Sequence, residues 1–314
     1  MLTAYPAETQ AADRLHEAVW IDLQAPTDEE MAQVSEATGL RVPSREEVSA
    51  IEASSRLQRT REALYLSTSM LVVGDAPHLT PVGFVLSRQR LITVRFDALF
   101  AFDTAAQNAR GDEEITSLGV FTCVFEAIVD RVADGLEQMA GELDGVSRSI
   151  FHPDGPRPSP NRNEAHQRQV LREVGRIGER LSQIRDVLLG VARIVPFVIE
   201  VRHAGQDDGI TDRLKAVRQD VSSLNDYEAQ LADKVQFLLD AVLGFINISQ
   251  NDIFKVLTVW SIVGIPPTLM AGVWGMNFKA MPELNWAWGY PMALAVIVLS
   301  ALVPLAWFKW KGWV

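Results

Sequence analysis

The sequence predicts an α+β domain, a mixed sheet with helices, followed by a long stalk helix and two C-terminal transmembrane helices. Three observations support that class. Short runs rich in Val, Leu, Ile and Thr surround a capped helix before residue 118. A proline-free 3–4 apolar spacing then runs from Leu214 to Phe245, and two long uncharged stretches follow it. The 314 residues are 22% charged and 48% hydrophobic, with net charge −11. That composition excludes a disordered tail, a collagen and a disulfide scaffold. Without a basic surplus it also argues against a nucleic-acid partner. The single cysteine, Cys123, can form no internal disulfide.

Residues 1–118 read as the α/β part. A short strand covers 19–23. Thr27 and Glu30 then have the spacing of a capping box, opening a helix that runs to about Thr38 and stops at Gly39. Residues 63–73 and 81–96 supply two or three more strands. Residues 119–204 read as long antiparallel helices, over 120–151 and 163 to about 203, parted by the proline-rich turn HPDGPRPSP. Pro196 is expected to kink or end the second. That helix carries Arg162, Arg168, Arg172, Arg176, Arg180 and Arg185, a solvated or salt-bridged face.

Residues 205–255 form the stalk. Leu214, Val217, Val221, Leu224, Leu231, Val235, Leu238, Val242 and Phe245 make a heptad-like seam with one gap at Glu228. No breaker separates this seam from the next apolar stretch, which implies one helix from about 212 to about 276. Two helices broken near Gly244 are the alternative.

Residues 256–276 and 286–310 are the transmembrane helices, with no charged residue in 256–276 or 286–308. Each uncharged stretch reaches roughly 30–35 Å as a helix, enough for a bilayer core. The alternative is a pair of buried helices in a soluble protein. Lys255 precedes the first span; Lys309 and Lys311 follow the second; the 277–285 loop holds only Lys279 and Glu283. Basic flanks place both termini and the 311–314 tail in the cytoplasm and the loop outside. MLTAYPAETQ shows no signal segment, so the large N-terminal part is expected to be cytosolic. Trp286, Trp288, Tyr290, Trp307, Trp310 and Trp313 cluster at the two ends of the second span, as interfacial aromatics do.

Along the first span Thr258, Ser261, Ile265, Thr268, Gly272 and Gly275 recur at steps of three and four, on one helix face. Continued back, the same face carries Asp240, Gly244, Asn247, Asn251 and Phe254; the opposite face carries Val259, Ile262, Val263 and Met270. The stripe is either a tight helix–helix interface, which small residues favour, or the lining of a water-filled pore. Asp240 and Asn247, as a cytosolic ring of oxygens with Asn251 beyond it, tilt the reading towards the pore. Two spans cannot enclose a channel, so a pore demands a homo-oligomer.

The first span ends in Trp274-Gly275-Met276-Asn277-Phe278, and Met281-Pro282-Glu283-Leu284 follows. Next come Asn285-Trp286-Ala287-Trp288-Gly289-Tyr290-Pro291 and the basic tail. With Gly244-Phe245-Ile246-Asn247, Gln250-Asn251 and Pro266-Pro267-Thr268, these segments resemble the CorA family of divalent-cation channels, whose signature is Gly-Met-Asn at this position. The resemblance implies a funnel-shaped homopentamer in the plasma (inner) membrane, with the first span lining the pore. Asn251, Leu257, Ser261, Ile265, Thr268 and Gly272 would be the lining, with Leu257 and Ile265 as apolar constrictions.

Gly275, Met276 and Asn277 would form the selectivity filter, and Met281, Pro282, Glu283 and Leu284 the outer loop. Mg2+ holds its water tightly, so Asn277 amide oxygens and Gly275 carbonyls would bind the hydrated ion. The resemblance further implies passive Mg2+ influx, shared by Co2+ and Ni2+, and no cofactor. It also implies closure when cytosolic Mg2+ fills acidic regulatory sites. The residues of these sites are not assigned; Asp97, Asp103, Asp212 and Asp220 lie in plausible regions, and each better suits a solvated surface.

The implied partners are further copies of the chain, the lipid bilayer and divalent cations. The alternatives are a Zn2+ transporter of the related ZntB branch, which shares the architecture but departs from Gly-Met-Asn, and a non-conducting oligomeric membrane scaffold. Nothing marks an enzyme. There is no P-loop, and His16, His78, His152, His166 and His203 are dispersed without metal-ligand spacing.

Overall fold

The computed structural model describes residues 1–5, 15–50, 56–74, 77–110, 116–151, 160–201, 208–276 and 286–313. Two compact units are distinguished, Met1–Ser159 with Arg168–Leu239, and Pro160–Gln167 with Asp240–Val314.

Among the described residues of the first unit six strands form one sheet. They are β1 (Leu2–Tyr5), β2 (Trp20–Gln24), β3 (Leu57–Arg59), β4 (Ala63–Val72), β5 (His78–Ser87) and β6 (Leu91–Arg95), in the order β1-β2-β6-β5-β4-β3. β2 and β6 run parallel and the other pairs antiparallel, so the sheet is mixed. β2 and β6 are buried almost throughout because both sheet faces are covered.

On one face Ile21, Leu23, Val85, Ile92 and Val94 share a core with Val34 of α1 (Asp28–Thr38). Both halves of the Thr27/Glu30 capping box form, and Gly39 closes α1 in left-handed backbone at φ 70°. Ser44 and Glu47 repeat the box on α2 (Arg45–Val48). On the other face Phe84 meets Phe102 of α3 (Phe100–Arg110) and Phe121 and Phe125 of α4 (Ser117–Phe151), with ring centroids 5.3–6.1 Å apart.

A buried ion pair crosses β2 and β6. Arg95 Nη2 donates to Asp22 Oδ2 at 2.9 Å, and Thr93 Oγ1 donates to Asp22 Oδ1 at 2.6 Å while accepting from Trp20 Nε1 at 3.0 Å. Such a charge is tolerated inside a sheet because both carboxylate oxygens are satisfied.

α5 (Pro160–Val201) and α6 (Asp208–Trp274) follow. Pro196 does not end α5, which runs on to Val201 with Val195 and Val198 buried on either side of the proline. Packing of those valines outweighs the lost hydrogen bond. At Gly190 α5 meets β4 so closely that an added Cβ would lie 1.8 Å from Thr68 Oγ1.

In the seam of α6, Leu214, Val217, Val221, Leu231, Leu238 and Val242 are buried, while Phe245 is exposed. The gap at Glu228 is itself buried, 3% exposed, and its carboxylate accepts from Arg185 Nε at 2.9 Å. Part of the arginine face is thus salt-bridged, since Arg180 also reaches Glu142 at 3.0 Å. Arg213 holds Glu126 at 2.6 Å, which raises the guanidinium pKa further.

α6 is one helix of 67 residues with no break at Gly244. At 1.5 Å per residue it measures about 100 Å. It ends at Trp274, and α7 (Gly289–Trp310) begins after a turn at Trp286.

Candidate functional site

The second unit contains the end of α6 and α7, which among the described residues are the two helices long and apolar enough to cross a membrane. Only 6% of either apolar window is buried within the chain, so these are not core helices of a soluble fold. Each helix nevertheless has one partly covered stripe. On α6 it contains Val259, Val263, Pro266, Pro267, Met270 and Trp274; on α7 it contains Gly289, Ala293, Val296, Ser300, Pro304 and Phe308. The spacing of three and four residues is that of packed helices.

The stripe of small and polar residues lies off this covered face. Asn247, Asn251, Phe254, Thr258, Ile265, Thr268, Gly272 and Gly275 are exposed, as are Asp240 and Leu257, and Gly244 and Ser261 are partly so. Ile265, Thr268, Gly272 and Met276 help line a shallow groove along the helix. Val259, Val263 and Met270 of the opposite face are covered, whereas Ile262 is exposed. These residues share one exposed face over about ten helical turns, next to equally exposed apolar neighbours such as Val256, Trp260 and Leu269.

Hydrogen bonding sets the polarity of that face. Thr258 Oγ1 donates to the Phe254 carbonyl at 2.7 Å, Ser261 Oγ to Leu257 at 2.8 Å and Thr268 Oγ1 to Gly264 at 2.8 Å. Each proton is committed to the helix backbone, so what each oxygen presents outward is an acceptor lone pair. Sequence reasoning finds the hydroxyls but not their direction, which is a rotamer choice. Pro266 and Pro267 lack N–H groups, so the carbonyls of Ile262 and Val263 lose their usual partners within an unbroken helix.

The helix ends in a tightened turn, with Gly275 N–H donating to Ala271 at 3.0 Å and Met276 N–H to Val273 at 3.3 Å. A Cβ on Gly275 would stand 3.1 Å from the Ala271 carbonyl oxygen. That oxygen is the acceptor of Gly275's own helical hydrogen bond, and Gly275 does not take positive φ. Asn277, Met281, Pro282, Glu283 and Leu284 lie outside the described residues.

At the ends of α7, Trp286, Trp288, Tyr290, Trp307, Trp310 and Trp313 are all exposed. Lys311 lies over the Trp307 ring at 4.7 Å. Gly312 takes φ 70°, Trp313 N–H donates to the Phe308 carbonyl at 3.0 Å, and the two rings sit 5.5 Å apart. This is a Schellman closure with its hydrophobic contact.

The regulatory candidates are dispersed. Asp212 pairs with Lys215 at 2.8 Å, Asp97 lies 3.8 Å from His78 Nε2, and Asp103 is in the first turn of α3. Asp220 adds its charge to Glu126 and Asp134 around Asp130, whose carboxyl is pushed above its ordinary range first by burial and then by these neighbours. Among the described residues no three His, Cys, Asp or Glu gather as a metal-holding group.

A family profile described as CorA-like Mg2+ transporter protein matches residues 16–310. A curated relative from Salmonella typhimurium, called Magnesium transport protein CorA, is 32% identical over 98% of this chain and 95% of its own length. The chain belongs to the CorA-like Mg2+ transporter family.

The CorA protein of Escherichia coli, also called a magnesium transport protein, is 32% identical with 100% of both chains covered. The complete CorA magnesium transporter from Methanocaldococcus jannaschii shares the fold, with TM-score 0.74 at 19% identity over 94% of this chain and 91% of that one. The full-length CmaX protein follows at TM-score 0.68 and 15% identity, covering 94% and 88%. CorA-family members are membrane transporters and not enzymes.

Proposed function

We propose that this chain carries Mg2+, and with it Co2+ and Ni2+, passively into the cytosol as a homopentamer of the inner membrane, both termini cytoplasmic. The observation that supports this most is the open stripe on α6 in a CorA-family chain. Set around a symmetry axis, α6 surrounds the path and α7 lies outside it. Asp240, Asn247 and Asn251 form the cytosolic approach, Ser261, Thr268 and Gly272 the wetted wall, and Leu257 and Ile265 apolar constrictions that close by dewetting.

The outward lone pairs of Thr258, Ser261 and Thr268 accept from the water shell of a cation, which presents hydrogens outward. Mg2+ sheds that shell reluctantly, so a wall of neutral acceptors passes it without the trapping a carboxylate ring would cause. Gly275, Met276 and Asn277 hold the hydrated ion at the outer rim, beside the loop Met281-Pro282-Glu283-Leu284. A divalent ion crossing 100 mV gains about 4.6 kcal/mol, so no energy source beyond the membrane potential is needed. Cytosolic Mg2+ closes the path by neutralising carboxylates of the first unit.

Asn277→Ala is expected to abolish Mg2+ uptake into liposomes while the oligomer elutes unchanged; normal uptake by that variant overturns the filter assignment. Flux of Mg2+ and Zn2+ compared with and without a pH gradient tests the ion. Zn2+ transport that requires the gradient, with no Mg2+ flux, favours a ZntB-like transporter instead.

A further inference from the structure

Two Arg-x-Arg triplets, Arg59-Thr60-Arg61 and Arg88-Gln89-Arg90, span the β3–β4 and β5–β6 turns. The antiparallel register of β4 with β5, Ala63 against Ser87, brings both turns to one end of the sheet. All four arginines line a single cleft of about 1260 Å³, in which Glu62 is the one carboxylate among the described residues. In a chain of net charge −11, the described residues of this cleft thus carry a positive excess.

Arg59, Arg61 and Arg88 are exposed, and their guanidinium groups have no ion pair among the described residues. Arg90 donates to the carbonyl oxygens of Leu15 at 3.3 Å and His16 at 3.1 Å, which fix its position without neutralising it. The neighbouring wall is apolar, from Leu118, Val198 and Ile210.

We propose that this cleft binds an organic phosphate anion, and that a nucleoside triphosphate is the class that fits. Guanidinium forks match phosphate oxygens two at a time, and four of them suit a polyphosphate better than a single phosphate. The apolar wall takes the flat base, which inorganic phosphate would leave uncovered. None of the lining residues belongs to the stripe on α6, so the site and the conduction path fail or stand separately.

The test is calorimetric titration of the full-length protein in detergent with EDTA present. ATP, tripolyphosphate and inorganic phosphate are compared as ligands. Wild type is expected to bind ATP, less tightly in high salt. Arg61→Glu with Arg88→Glu is expected to weaken it about tenfold or more, and Arg61→Gln with Arg88→Gln to act in the same direction. The oligomer and ATP-free Mg2+ flux are expected to stay unchanged, because neither side chain holds the fold. Absence of ATP binding by wild type, or equal binding by the glutamine variant, overturns the site. Tripolyphosphate binding as tightly as ATP overturns the nucleoside assignment.

Discussion

Gly190 and Thr68 face each other across α5 and β4 with no room for a methyl group, and Thr68 is 2% exposed. In Gly190→Ala, helix propensity returns at most about 1 kcal/mol. Overpacking costs about 1–3 kcal/mol, and a buried threonine on a paired strand has nowhere to move. Gly190→Ala is therefore expected to lower the unfolding midpoint, and Thr68→Ala in the same chain to restore part of it; an unchanged midpoint would show that the contact relaxes freely. Asp130 offers a second test. Its carboxyl titrates above the ordinary 3.8 because burial and then Glu126, Asp134 and Asp220 disfavour its charge. The folded state thus binds that proton more tightly than the unfolded chain, so the penalty is complete above the folded pKa and fades as pH falls towards 3.8. Asp130→Asn is expected to raise the midpoint at neutral pH in EDTA. That gain should disappear in acid, as melting curves over a pH series would read out.

At the scale of elements, α6 is the informative one. Its seam is interrupted only at Glu228, and the pair with Arg185 explains the gap. Arg185→Ala leaves a buried carboxylate alone and is expected to cost roughly 3 kcal/mol, somewhat less because Arg185 is half-exposed and water screens the site. Glu228→Leu continues the apolar seam and is expected to be near neutral. Denaturation midpoints ranked the other way would contradict this account.

The same helix shows what one sequence can disclose. Its continuity and its stripe were legible because both are periodic over many turns. α1 was legible because the Thr27/Glu30 box and Gly39 act locally. The Ser44/Glu47 box of α2 carried the same signal and could have been read. β1 and β3 are too short to show a period. The survival of α5 beyond Pro196 depends on neighbours remote in sequence. The direction of the stripe's hydroxyls depends on rotamers. Gly-Met-Asn was legible as a motif, while its last member, Asn277, lies outside the described residues.

For the whole molecule, the proposed assembly makes the back-bonded hydroxyls functional and the covered face of α6 structural. Thr268→Val keeps the shape of the side chain and removes one acceptor per subunit. It is expected to reduce Mg2+ flux in liposomes several-fold with the oligomer intact, whereas Val263→Ile on the covered face should leave flux close to wild type. Equal loss in both would point to general packing instead of wetting. The committed hydroxyl protons also bear on ions of the opposite sign. Between residues 256 and 276 the hydroxyl hydrogens of Thr258, Ser261 and Thr268 are spent on the backbone, so this stretch offers chloride no hydroxyl donor, and it does so without formal charge. Discrimination built on fixed carboxylates fades once the Debye length shrinks to about 3 Å near 1 M salt. Discrimination built on oriented dipoles does not, so the exclusion of anions should persist in brine.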